Sequence, residues 1–143
     1  MHDFLRKQER LIGLVSGDVP LLSNLDTAGN IALIPQHHQN MTAKKARELA
    51  VELMQRFQMV GAASRRANSL SAQELFCVKL LRASVLGSNI VVIDRPFRML
   101  PGLQDDRFLL HSFAQIEDMI AEVYIFDYKS QQGRYGDHQD AEG

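Results

Sequence analysis

Residues 68–97 read NSLSAQELFCVKLLRASVLGSNIVVIDRPF, and this stretch decides the fold. Ser71 and Glu74 stand at capping-box spacing, in which each side chain satisfies a backbone N–H of the other residue. Leu75, Val78, Leu81, Val85 and Leu86 then recur at helical spacing, which predicts a helix over 71–86. Gly87 stops it. Ile90–Ile93 follows as an unbroken β-branched run, the pattern of a strand buried on both faces.

Working outward, LIGLV at 11–15 and Val123–Phe126 read as two further strands. Strands separated by helical crossovers imply a parallel sheet of about three strands with right-handed connections. Residues 16–36 are punctuated by Gly17, Pro20, Gly29 and Pro35 and predict loop with short helical pieces. The adjacent His37 and His38 cannot share one face, so a loop tip is expected there rather than a metal site. Thr42 caps a helix expected over 42–59, with Ala46, Leu49, Ala50, Leu53, Met54 and Phe57 on one side. Arg65 and Arg66 belong to a solvated turn. A helix over 104–120 turns Phe108, Leu109, Phe113, Ile116 and Ile120 inward. From Ser130 the chain is polar and Gly-rich and is expected to fray.

The chain has 143 residues and 45% hydrophobic composition, enough for one domain with a true core. A formal net charge of -1 gives no electrostatic case for nucleic acid, and none is expected as a partner. No apolar run is long enough to span a bilayer, and MHDFLRKQER lacks a signal-peptide pattern. A cytoplasmic location is expected, with membrane contact only through a partner. The single Cys77 excludes an internal disulfide and a multi-cysteine zinc site, and it reads as a small buried apolar residue.

The order Leu70-Ser71, helix, β-branched strand, Asp94-Arg95-Pro96 resembles the signature-helix and Walker B segment of ABC-transporter ATPases, LSGGQ-helix-strand-DEPT. Val78 and Arg82-Ala83 match as well. Residues 12–33 resemble the Q-loop region, with Asn30 and Ile31 at its end, and EVYIFDYK at 122–129 resembles the strand that carries the switch histidine. Phe97 and Pro101 are reminiscent of the lipid-transport (MCE-associated) branch. The resemblance implies an α/β fold, a partial P-loop-NTPase-like core with an ABC-type helical subdomain, in one domain over 1–143. Its parts are a Q-loop-like region (10–35), a helical lobe (36–70), a signature, Walker B-like and switch-like region (71–129) and a tail (130–143). It further implies that the Q-loop, Walker B and switch strands are neighbours. The family's phosphate-loop strand, which would pair beyond the switch strand, has no counterpart here.

The departures bear on chemistry. No GxxGxGK[ST] phosphate loop occurs in this sequence, so the backbone N–H cradle and lysine that neutralise β/γ-phosphates are missing. Gly17 stands at the Q-loop glutamine, and Ala72 and Gln73 replace the signature glycines. Arg95 replaces the catalytic glutamate, turning a general base into a permanent cation, and Tyr128 stands at the switch histidine. Ser71 and Asp94 survive as vestiges, expected as a helix cap and as a partner in a local salt bridge. Tyr128 is left between packing and hydrogen bonding.

The resemblance therefore implies a catalytically inactive protein, with no cofactor and no metal, that acts by protein contact in an ABC transport system. The expected partner is an ABC permease or an intact ATPase subunit, at the inner face of the membrane. Val19, Leu21, Leu22, Leu25 and Ile31 are the expected partner-binding residues, since a groove for an amphipathic helix needs apolar anchors; packing of the helical lobe explains them equally well. Val123, Tyr124, Ile125 and Phe126 form the expected open sheet edge, covered by the tail or by a homodimer mate. The alternative is a degenerate half-site, with Ser71 facing ATP held by an intact subunit in a heterodimer. A third reading is a remnant that folds and does little.

Overall fold

A computed structural model of the chain describes residues 12–87 and 90–136. Eight helices and strands follow in order: β1 (Ile12–Ser16), α1 (Thr27–His38), α2 (Ala43–Gln55), α3 (Ala72–Ser84), β2 (Ile90–Asp94), α4 (Pro96–Met99), α5 (Arg107–Ala114) and β3 (Glu122–Phe126). The strands form one parallel sheet in the order β1-β2-β3, the neighbour order that the resemblance implies.

Strand register sorts the side chains into two faces. Gly13 aligns with Val91 and Val123, and Val15 with Ile93 and Ile125. Val15, Val91 and Ile93 are fully buried. Helix α3 lies against β1, and its Phe76, Val78, Leu80 and Leu81 belong to the same core. The opposite face carries Ile12, Leu14, Ile90, Val92, Tyr124 and Phe126, and it is only half-buried or exposed. The expectation of a strand buried on both faces is thus corrected for β2. Burial alternates along it, because helical cover lies on one side of the sheet only among the described residues.

The approach of α3 to β1 is close enough to constrain sequence. A Cβ at Gly13 would lie 2.5 Å from the Ala83 carbonyl oxygen and 2.9 Å from its Cβ. Glycine opposite alanine permits the contact, and no larger pair does.

Four expectations about elements are corrected. Residues 27–38 form a three-turn helix, where loop with short pieces was expected. Asp26 caps it by accepting from Gly29 N at 2.8 Å, and Pro35 sits inside it. His37 and His38 accordingly close a helix, placing two imidazoles at its negative end, rather than forming a loop tip. Helix α2 stops at Gln55, short of Met59. Gln58 adopts φ +58°, with Met59 N donating to Met54 O and Gln58 N to Gln55 O, a Schellman closure built without glycine. Helix α5 ends at Ala114, because Arg56 takes the Gln115 carbonyl at 2.9 Å and pairs with Asp118. Of the tail expected to fray from Ser130, residues 130–136 are described and hold a definite conformation, while 137–143 lie outside the described residues. A 3-10 turn over Lys129–Arg134 leads Tyr135 edge-on to Phe97 at 5.0 Å, with its hydroxyl on Asp127 at 2.7 Å.

Replacing Gly13 by alanine is expected to cost about 1–3 kcal/mol, the usual price of overpacking a tight contact. Urea unfolding would show a lower midpoint with an unchanged slope. An unchanged midpoint would mean that α3 does not lean on β1 as described.

Candidate functional site

Two features converge at the carboxyl end of the sheet, the side on which parallel sheets of this kind carry ligands. One is a polar cluster at the strand ends, and the other is the loop that leaves β1.

Ser16, Asp94 and Phe126 form the last register row. Ser16 Oγ donates to Asp94 Oδ2 at 3.2 Å. The next residue, Arg95, folds its guanidinium back over Asp94, with Nε on Oδ1 at 3.1 Å and a terminal nitrogen on Oδ2 at 3.0 Å. That same terminal nitrogen reaches Asp18 at 2.8 Å, and the other donates to the Tyr128 hydroxyl at 3.2 Å. Tyr128 therefore hydrogen-bonds here, which resolves the alternative left open by the sequence. To make this fork Arg95 adopts a left-handed backbone, φ +52° and ψ +62°. Such a conformation costs about 1–2 kcal/mol for a residue with a Cβ. The Arg95 N–H is held by Phe126 O at 2.7 Å, which helps to fix it.

The Arg95 hydrogen bonds hold the Asp94 carboxyl below its ordinary range, against burial, with help from Ser16. The same pairing, led by Asp94 and then Tyr128, raises the guanidinium further above its already high value. Both Asp94 oxygens accept from Arg95, and Oδ2 accepts from Ser16 as well, so a cation at this carboxylate would have to compete with the guanidinium. No cluster of three or more His, Cys, Asp or Glu residues suited to a metal occurs among the described residues.

Beneath this network lies a group that the sequence reading missed. Lys79 is buried, and its ammonium donates to the Ser16 carbonyl at 3.1 Å. Burial lowers its pKa. Its only sequence signal is a cation on the apolar side of the capped helix, between Val78 and Leu80.

Ser71 is the N-cap of α3, as expected. Its hydroxyl accepts from Glu74 N at 3.1 Å, and Glu74 returns the bond to Ser71 N at 2.9 Å. Helix α3 runs from beyond the carboxyl end of β1, where Lys79 meets Ser16, to Gly13 near its start. Ser71 is eight residues from Lys79, about 12 Å along the helix axis. Cys77 is buried, and burial pushes its thiol up to about 12, which makes it an inert core residue.

The loop after β1 is held at several points. Arg82, on α3, donates to the Val19 and Pro20 carbonyls at 3.1 and 3.0 Å. Buried Asn30 accepts from Leu22 N at 2.7 Å and donates to Leu22 O at 3.1 Å. Asp26 ties α1 to α2 through two bonds to Arg47, at 3.1 and 3.0 Å. Arg66 holds Ser23 O at 2.9 Å, so it is a clamp and not merely part of a solvated turn.

The expected partner-binding set is divided by the structure. Leu21 and Ile31 lie in the core, Leu25 is half-buried, and only Val19 (37% exposed) and Leu22 (45%) face outward. Strand β3 pairs with β2 alone, and its outer edge has no strand partner among the described residues. Residues 129–136 pack near Phe97 and Asp106 instead of pairing with it. A separate open depression runs along the charged side of α2, past Lys44, Arg47, Glu48, Val51 and Glu52. No helix among the described residues is long and apolar enough to cross a membrane.

With this geometry in view, the fold is that of the ABC transporter ATPase cassettes. One solved structure, the dimeric structure of MJ0796, a bacterial ABC transporter cassette, matches with a TM-score of 0.67 at 23% identity. The match covers 91% of this chain and 58% of that one. A second, MJ0796 in a post-hydrolysis state bound to ADP and Pi, matches with a TM-score of 0.66 at 23% identity, over 92% and 58% of the two chains. The chain thus spans less than two thirds of the length of these cassettes. No protein-family model matches it. No curated protein matches it either.

Asp26 is expected to carry an acid-sensitive part of the stability. Its Arg47 hydrogen bonds, followed by the Gly29 bond, lower its pKa below the ordinary 3.8 despite partial burial. An acid whose folded pKa is depressed binds fewer protons folded than unfolded, so its contribution is present above about pH 4 and is lost as pH falls through the folded value. Asp26→Asn keeps a capping side chain and removes the charge. The decline in urea midpoint from pH 6 to pH 3 should be shallower in this variant than in the parent. Parallel declines would remove Asp26 from the account.

Proposed function

We propose that this chain is a catalytically inactive ABC-ATPase-like protein that works by protein–protein contact, as an accessory or regulatory component of an ABC transport system. The observation that carries this reading is the Arg95 fork on Asp94. The catalytic carboxylate of the resembling motif is replaced by a cation, and that cation fills the neighbouring aspartate. Ordinary MgATP chemistry needs that aspartate free to share a metal with phosphates, and a phosphate loop to hold them.

What supports docking is the fixed loop after β1. Val19 and Leu22 stay exposed while Arg82, Asn30 and Arg66 hold their backbone neighbourhood. Apolar anchors on a preorganised loop lose little entropy on binding. The resemblance puts this loop beside the cleft where cassettes of the family receive their permease. The partner we favour is accordingly an ABC permease or an intact ATPase subunit, which would hold the chain at the inner membrane face. Phe97 and Pro101 favour a system of the lipid-transport branch. The open β3 edge, Val123–Phe126, is the second docking surface of this reading.

The half-site alternative, with Ser71 facing nucleotide held by another subunit, is disfavoured by Glu74. Its carboxylate already satisfies the Ser71 N–H and places negative charge where a phosphate would come.

Calorimetry of the purified chain with MgATP should give no binding heat at high ATP. Clear one-site binding would overturn the inactive reading and make Ser71, Asp94 and Arg95 the first residues to mutate. Docking has a separate test. The tagged chain should co-purify with a permease or ATPase subunit of a transport system, and Val19→Asp with Leu22→Asp should reduce recovery about tenfold or more, as for loss of a central apolar anchor. Recovery that is indifferent to both substitutions would remove the loop as the contact.

A further inference from the structure

On the basis of the docking proposed above, we infer that the loop after β1 receives an acidic segment of the partner protein, whose apolar side chains meet Val19 and Leu22 and whose carboxylates meet Arg66 and Arg82.

The charges around this loop do not balance. Its nearby carboxylates are already claimed by arginines: Asp18 by Arg95 at 2.8 Å, Asp26 by Arg47 at 3.0 Å and Asp94 by Arg95 at 3.0 Å, while Glu74 faces Arg65 at 3.8 Å. Three further cations hold backbone carbonyls only. Lys79 donates to Ser16 O, Arg82 to Val19 O and Pro20 O, and Arg66 to Ser23 O. None of the three forms an ion pair among the described residues. The chain as a whole carries a formal charge of -1, so this positive excess is local. Burial disfavours the charge on Lys79 and on Arg82 and lowers both pKa values. Repulsion by Arg82 lowers that of Lys79 further, and Asp18 offsets part of this. An anion brought to the loop would favour both charges.

The same carbonyl contacts bring the cations beside the exposed apolar side chains. Arg82 holds the carbonyl of Val19 itself, and Arg66 holds that of Ser23, the residue after Leu22. Arg66 is exposed, and its Ser23 bond engages a single terminal nitrogen. A guanidinium has more N–H donors than these bonds use, and its planar fork suits a carboxylate. Apolar anchors flanked by cations are complementary to an apolar segment flanked by acids, and like charge on the incoming segment would be rejected.

An anionic lipid surface is a poorer fit. The side chain of Asp18, 65% exposed, lies on the same loop and would be pressed against the headgroups. Only Val19 and Leu22 are exposed large apolar residues here, too few to bury the apolar face that interfacial binding requires. A protein segment can place its carboxylates at Arg66 and Arg82 and leave Asp18 to Arg95.

Two synthetic amphipathic helical peptides provide the test on the full chain. They share the same leucines, and one carries Glu where the other carries Lys. By fluorescence anisotropy at low salt, the Glu peptide should bind about tenfold or more tightly than the Lys peptide, the worth of one hydrogen bond between charged groups. The preference should shrink as salt is raised. Arg66→Gln should reduce it several-fold, and Arg66→Lys, which keeps the charge, should retain a clear preference. The preference is read on the parent chain, so it decides even where a variant fails to fold. Equal binding of the two peptides, or tighter binding of the Lys peptide, would overturn the acidic partner; the docking loop itself would stand if Val19→Asp with Leu22→Asp weakened both. Binding of neither peptide would also overturn the inference, and co-purification sensitive to those two substitutions would then still support docking. Binding to phosphatidylglycerol vesicles that is lost in Arg66→Gln, with no binding of the Glu peptide, would put lipid on the loop and overturn it as well.

Discussion

The seating of α3 on β1 is the constraint on which the rest depends. Gly13 brings the strand against the Ala83 backbone with no room for a Cβ. That contact fixes the height of the helix over the sheet, and its consequences run along the helix toward its cap. One turn from Ala83, Lys79 arrives at the carboxyl end of β1 and takes the Ser16 carbonyl. Arg82 reaches the other way to the Val19 and Pro20 carbonyls, so the loop after β1 leaves in a set direction. The same loop is then clamped by Asn30, which belongs to the next helix. Sheet, loop and helical lobe are thus positioned by one helix.

The chemistry at the strand ends follows from two cations of different character. Lys79 is a compact ammonium whose charge is disfavoured by burial, and its bond to a carbonyl is only partial compensation. Arg95 is a delocalised fork whose charge is reinforced by Asp94, Tyr128 and Asp18. The first anchors backbone from below, and the second closes the end of the sheet from above. A strained backbone at Arg95 persists because several partners determine it at once. Within this network the carboxylates of Asp94 and Asp18 are both paired with the Arg95 guanidinium, and Asp94 also takes the Ser16 hydroxyl.

Local signals were legible wherever the covalent neighbourhood decides the outcome. The capping box at Ser71 and Glu74, the Thr42 cap and the three strands are all in place. What escaped were elements whose ends are set from a distance. Helix α1 carries Gly29 and Pro35, which read as breaks. Yet Gly29 fits under the Asp26 carboxylate, where a Cβ would lie 2.9 Å from Oδ1, and the helix closes beyond the proline through Gln39 N on Pro35 O. The end of α2 depends on Gln58 taking a left-handed conformation, for which sequence would have asked for glycine. The end of α5 depends on Arg56, 59 residues away from the carbonyl it takes.

The sequence by itself determined the parallel α/β plan and the order of the strands and main helices, because periodicity and capping are properties of neighbours in the chain. Tertiary structure alone decided which of the apolar residues at 19–31 face outward, with Leu21 and Ile31 drawn into the core and Val19 and Leu22 left outside. It also decided that Arg95 folds onto Asp94, that Lys79 is buried beneath them, and that one face of the sheet is left exposed among the described residues. Each of these depends on where a distant segment packs, and hydrophobic pattern carries no information on which of two faces a second layer will cover.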